Sequence, residues 1–105
     1  LLEQYSFKAK GNTYRVLPFK LKYSLSEEMT EDYKVINFLP NIENSSRMVV
    51  NEYLMRGDVV EVISKWIDMC LMKGDEKMSL EKVIEDEWDT DDMTLFLLKV
   101  VGISG

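Results

Sequence analysis

The chain contains no histidine, so the side chain that most easily moves protons near neutral pH is missing. The commonest zinc ligand goes with it, and the single cysteine, Cys70, cannot form a zinc site alone. One cysteine also excludes an internal disulfide, which fits a reducing compartment. Proline and glycine are scarce, at 2 and 5 residues, which argues against a linker-like or disordered chain. Gly11 has no companion glycines, so no phosphate-cradling loop is present. No apolar run approaches the roughly 20 residues of a membrane-spanning helix. Leu1-Leu2-Glu3 lacks the layout of a signal peptide. No metal, cofactor or catalytic residue is expected from this inventory, and no membrane partner.

Acid is absent from Tyr5 to Tyr23, which carry Lys8, Lys10, Arg15, Lys20 and Lys22. The opposite field lies in Glu85-Asp86-Glu87-Trp88-Asp89-Thr90-Asp91-Asp92, where six carboxylates flank one tryptophan. Residues 1–23 sum to +4 and residues 75–92 to −7, within a net charge of −6. That balance disfavours nucleic acid as the main partner, because phosphate neutralisation needs a concentrated basic face. With 105 residues, 46% of them apolar and 30% charged, the chain is expected to form one compact domain over 1–105.

Periodicity predicts an α+β fold, mostly α, with a β-ribbon over 1–23 and a helical bundle over 24–105. Tyr5, Phe7 and Ala9 alternate with Ser6, Lys8 and Lys10, and Thr13 to Leu17 return after a turn at Gly11-Asn12. Phe19, Leu21 and Tyr23 resume the alternation after Pro18, either as a third strand or as a continuation of the second. Ser24 with Glu27 predicts a helix running to about Phe38. A second is expected from Ser45 or Ser46 to Met55, with Gly57 as its stop. Asp58 with Glu61 opens the clearest helix, in which Val59, Val62, Ile63, Trp66, Ile67 and Cys70 recur at helical spacing. Lys73-Gly74 is its expected end. Ser79 caps a short segment holding Leu80, Val83 and Ile84. Asp89 or Thr90 caps the last helix, Asp91 to Val101, with Gly102 as stop. About five short helices result.

The acidic stretch admits three readings. Its carboxylates can be cap and first-turn residues of the last helix, a patch facing a partner, or a cation site. A calcium loop begun at Asp86 or Asp89 would lack its central glycine and terminal glutamate. Trp88 can be a hydrophobic staple with Met93 or an interface anchor. The last helix is apolar on more than one side through Met93, Leu95, Phe96, Leu97, Leu98, Val100 and Val101. It is either central to the bundle or shared with a second subunit. Cys70 falls in an apolar stripe, as a buried structural thiol does. The ribbon is either a cap over the bundle or an edge for another strand, and its lysines can meet the acids of another copy or of the same chain.

The Trp66 helix, Met78-Ser79-Leu80, Trp88-Asp89-Thr90-Asp91-Asp92, the Phe96 helix and Ile103-Ser104-Gly105 together resemble the tail assembly chaperones of tailed bacteriophages. The resemblance covers about residues 60–105. It implies a non-enzymatic, mostly helical protein with a small N-terminal β element. Such a protein would work in the cytoplasm of an infected or lysogenic bacterial host. It would bind other phage tail proteins, notably the hydrophobic helices of the tape measure protein, and would self-associate into a homo-oligomer. Candidate protein-interaction residues are Trp88, Leu95, Phe96, Met93 and Leu98, with Phe7 and Phe19 on the ribbon. The alternatives are an acidic phage-encoded inhibitor of a nucleic-acid enzyme and a structural tail or connector subunit of the virion.

Overall fold

The computed structural model describes residues 5–104; the reading of Leu1-Leu2-Glu3 and the final Gly105 lie outside them. The fold is α+β and mostly helical, with a sheet that begins in an N-terminal hairpin and packs on a bundle of short helices. Strand β1 is Ser6–Ala9 and β2 is Asn12–Val16. Four helices follow, α1 (Leu21–Ser24), α2 (Glu27–Val35), α3 (Arg47–Met55) and α4 (Gly57–Cys70), with a 3-10 turn at Leu39–Asn44 before α3. The chain then returns to the sheet as β3 (Leu71–Lys73) and β4 (Glu76–Lys77). It ends in α5 (Leu80–Glu85) and α6 (Thr90–Ser104).

The sheet has the order β1-β2-β3-β4 and is antiparallel throughout. The first turn is Lys10-Gly11, with φ of 51° and 81°, and not Gly11-Asn12. Asn12 is already paired with Ala9. Two positive φ values are what a tight hairpin with right-handed strand twist requires. The expected third strand at Phe19–Tyr23 does not form. Pro18 has no N–H for a ladder, the Phe19 N–H is taken by Ser104 Oγ at 3.0 Å, and the chain coils into α1. The strand beside β2 comes instead from Leu71–Lys73, through Arg15↔Met72 and Val16↔Leu71. Lys73-Gly74 is therefore not a helix end. Gly74, at φ 62°, starts the β3–β4 turn.

Other expected boundaries move by one local contact each. Ser26, and not Ser24, caps α2 by accepting the Met29 N–H at 3.2 Å. Gly57 opens α4 rather than closing α3. Asp58 sits inside the first turn of α4, bound to the Arg56 guanidinium. Gly102 lies within α6 rather than ending it.

The α4 stripe is buried as its periodicity requires: Val59, Val62, Ile63, Trp66, Ile67 and Cys70. Trp66, the largest of them, sits under Phe19 and Tyr33 at ring-centroid distances of 5.2 and 5.6 Å. Its indole N–H donates to Tyr23 Oη at 2.8 Å, and Tyr23 donates to Asp32 at 2.5 Å. Lys65 Nζ reaches the same carboxylate at 2.9 Å. A buried acid thus has both a donor and a counter-charge, the condition for its burial. Among the described residues no helix is long and apolar enough to cross a membrane.

Candidate protein-interaction site

The acidic stretch folds into a corner between α5 and α6 that one tryptophan closes from both sides. Glu87 takes φ 64° just past the end of α5. From there the Glu87 N–H donates to the Ile84 carbonyl at 3.0 Å and the Trp88 N–H to the Val83 carbonyl at 3.2 Å. This is the paired 5→2 and 6→1 bonding that satisfies a helix C-terminus. One residue later Asp89 and Asp92 cap α6 reciprocally. The Asp92 N–H donates to Asp89 Oδ1 and the Asp89 N–H to Asp92 Oδ2, each at 3.0 Å. Trp88 and Met93 stand on either side of this box, in the positions of a hydrophobic staple.

Most of the remaining charge is answered inside the chain. Lys10, at the tip of the β1–β2 turn, lies 2.6 Å from Asp89 and 3.4 Å from Asp92. The Lys10 hydrogen bond holds the Asp89 carboxyl down to about 2. Asp86 accepts from Tyr14 Oη at 2.5 Å and from Lys73 Nζ at 3.0 Å, and these two bonds lower its pKa. Arg47 pairs with Asp91 at 2.8 Å. The basic ribbon and the acidic stretch thus meet within one copy at Lys10. Among the described residues no group of three His, Cys, Asp or Glu side chains is placed to hold a metal ion.

The predicted interaction residues separate into three groups. Phe7, Phe19 and Phe96 are buried, so a partner cannot reach them without unpacking the core. Phe7 stacks on Tyr14 beneath the sheet, and Phe96 lies 6.1 Å from Trp88. Leu95 and Leu98 are each 37% exposed and line a shallow cavity with Tyr5, Lys99, Gly102 and Ile103. Trp88 and Met93 are half-buried and share a different surface. Phe96, Leu97 and Val100 of α6 are buried within this one chain.

The surface shared by Trp88 and Met93 is a groove of about 680 Å³ between α3, α4, α5 and the start of α6. Leu54 and Met55 form one wall and Leu80 and Ile84 the other, with Val60, Ile63 and Val83 among its apolar lining. Met55 and Ile84 are 80% and 66% exposed. Asn51 and Thr90, hydrogen-bonded to one another, cross-link α3 to α6 at one end. Trp88 is held against this groove by edge-on contacts to Tyr14 and Phe7, at 5.0 and 5.6 Å. Its indole N–H is buried with no hydrogen-bond partner among the described residues.

Met55, Ile84, Leu54 and Val60 were not among the predicted interaction residues. The sequence places Ile84 with Leu80 and Val83 in one apolar segment, whereas a helix of 6 residues buries only Val83 fully. The groove exists because α3 and α5, 25 residues apart in sequence, flank α4. No sequence-local pattern reports that. Comparison with protein-family models, with curated proteins and with solved structures finds no match to this chain.

Proposed function

We propose that this domain is a non-enzymatic binding module that holds an apolar helical segment of another protein in the groove between α3 and α5. The lining of that groove carries the proposal: apolar side chains from four helices converge, and two of the largest remain mostly in water. An amphipathic helix lying in a groove buries such side chains at three- and four-residue spacing. Helix α3, with 9 residues, offers a wall about 13 Å long at 1.5 Å per residue. That accommodates two to three turns of a partner helix. Met55 and Met93 supply adaptable contacts of the kind found where several related apolar sequences are accepted. Glu81 and Glu85, exposed on α5 and without an ion pair among the described residues, favour a partner with lysine or arginine beside its apolar stripe.

The phage tail assembly chaperone reading fits this geometry, with the tape measure protein as the helical partner and the bacterial host cytoplasm as the place of action. Self-association belongs to the same reading. The acidic-inhibitor reading is less well supported, because Asp86, Asp89, Asp91 and Asp92 are already bound to partners within the chain.

The test is binding of an amphipathic tape measure fragment, measured by calorimetry. Ile84→Glu and Met55→Glu should each retain the native near-ultraviolet dichroism and weaken binding by about tenfold or more, since each places a charge in an apolar contact. Neutralising Glu85, Asp86, Glu87, Asp91 and Asp92 together should matter less. The reverse ranking would remove the groove from the function.

A further inference from the structure

The sheet presents a second surface, on the side away from the helices, whose chemistry is unlike the rest of the molecule. Strand alternation sends Phe7, Ala9, Tyr14, Val16 and Leu71 inward, where all are buried. It sends Ser6, Lys8, Thr13, Arg15, Met72 and Lys77 outward. Ser6, Arg15, Met72 and Lys77 form one row across all four strands, joined by the pairings Ser6↔Arg15, Arg15↔Met72 and Met72↔Lys77. Lys8 stands opposite Thr13 in the next row. Lys8, Arg15 and Lys77 are exposed.

Among the described residues the outer face therefore carries three cations and no acid, in a protein of net charge −6. The sheet's other cations behave differently. Lys10 is neutralised by Asp89 and Asp92, and Lys73 by Asp86. Glu76, the one acid in the strands among the described residues, has the opposite parity, across from Lys73, and lies 3.9 Å from Lys82. Among the described residues none of the three outward cations has an ion-pair partner.

We propose that this outer sheet face is a docking surface for an acidic segment of a partner protein, separate from the apolar groove. Lys8 is diagonal to Arg15 across one strand pair, about 8 Å away. Arg15 and Lys77 are two strands apart, about 10 Å. Those intervals match carboxylates spaced along a short extended or helical segment, and the long lysine and arginine side chains take up the remainder. Arg15 offers a planar fork for two-point carboxylate binding, while the lysines act as point charges. Ser6 and Thr13 add hydroxyl donors between them. A polyphosphate chain fits less well. Among the described residues the face has no aromatic side chain on which a base could stack.

Fluorescence anisotropy with a labelled oligoglutamate peptide tests the surface at low salt, beside an oligothymidylate of equal formal charge. The full chain should bind the peptide and weaken steeply as salt rises, because the contacts are exposed charges. Arg15→Glu should reduce peptide affinity by about tenfold, as should the paired change Lys8→Gln with Lys77→Gln, each removing or reversing charge at the face. Lys34→Glu, which alters net charge equally on α2, should leave binding within about twofold of that of the unsubstituted chain, given its remoteness. Circular dichroism verifies that each variant is folded. The proposal is overturned if the peptide does not bind, if the oligothymidylate binds more tightly, or if Lys34→Glu is as damaging as Arg15→Glu.

Discussion

At the residue scale, the acidic corner shows how one side chain serves two motifs. Trp88 ends α5 through its backbone N–H and brackets the start of α6 through its ring, while that ring also packs on Tyr14 and Phe7. The staple with Met93 was legible in the sequence because both partners are five residues apart around a cap. The contacts to Tyr14 and Phe7 were not, since more than seventy positions separate them. Asp89 is the residue here whose charge state has a measurable consequence. Lys10 and the Asp92 N–H both favour its ionised form, so its carboxyl in the fold sits at about 2, below the unfolded value of about 3.9. A lowered folded pKa stabilises the fold above the unfolded value, and the contribution is lost as pH falls from about 4 toward 2. Asp89→Asn should therefore flatten the pH dependence of unfolding in that window. Urea midpoints at pH 4.5 and 2.5 in low salt measure it, and an equal drop in both proteins would remove the Lys10–Asp89 pair from the account.

At the element scale, each helix end that the sequence marked with serine was placed correctly where the serine lay next to the apolar run. Ser46 and Ser79 cap α3 and α5 by accepting the N–H three residues on, at 3.3 Å each. Ser24 failed because α1 captures it, and Ser26 caps instead. The missed β3–β4 hairpin has a different cause. Leu71, Met72 and Lys73 are good helix formers, and a run of 3 residues is too short to show a period. Only the Gly74-Asp75 pair carried a turn signal. At the end of α5, Glu87 occupies the left-handed position that glycine prefers. Such a conformation costs a side-chain-bearing residue about 1–2 kcal/mol, part of which glycine's greater freedom in the unfolded chain takes back. Glu87→Gly should then raise stability by about 0.5–1 kcal/mol, read as a higher urea midpoint at unchanged slope. A lower midpoint would mean that the Glu87 side chain contributes a contact outweighing its strain.

At the scale of the whole molecule, the fold is organised around α4, whose buried stripe meets the sheet, α2, α3 and α5. The centre of α4 and strand β2, flanked on both sides by paired strands, should therefore be the last regions to open. Native-state hydrogen exchange should find the slowest amides at Arg15, which is paired on both sides, and at Trp66 and Ile67, with those of α3 exchanging faster, because its outer face is exposed at Met48, Val49 and Met55. Protection in α3 equal to that of α4 would show that the groove wall belongs to the central cooperative unit.

The sequence by itself determined what local periodicity and capping chemistry encode. It specified the N-terminal hairpin, the α4 stripe, the capped starts of α3, α5 and α6, and the lack of histidine and paired cysteine chemistry. Tertiary structure alone decided the rest. It drew β3 beside β2, turned Phe7, Phe19 and Phe96 into core, and joined Lys10 to the acids near Trp88. It also opened a groove between two helices far apart in the chain. The reason is range: propensity, alternation and caps act over a few residues, whereas each of these outcomes is a pairing that only the packed chain brings within contact distance.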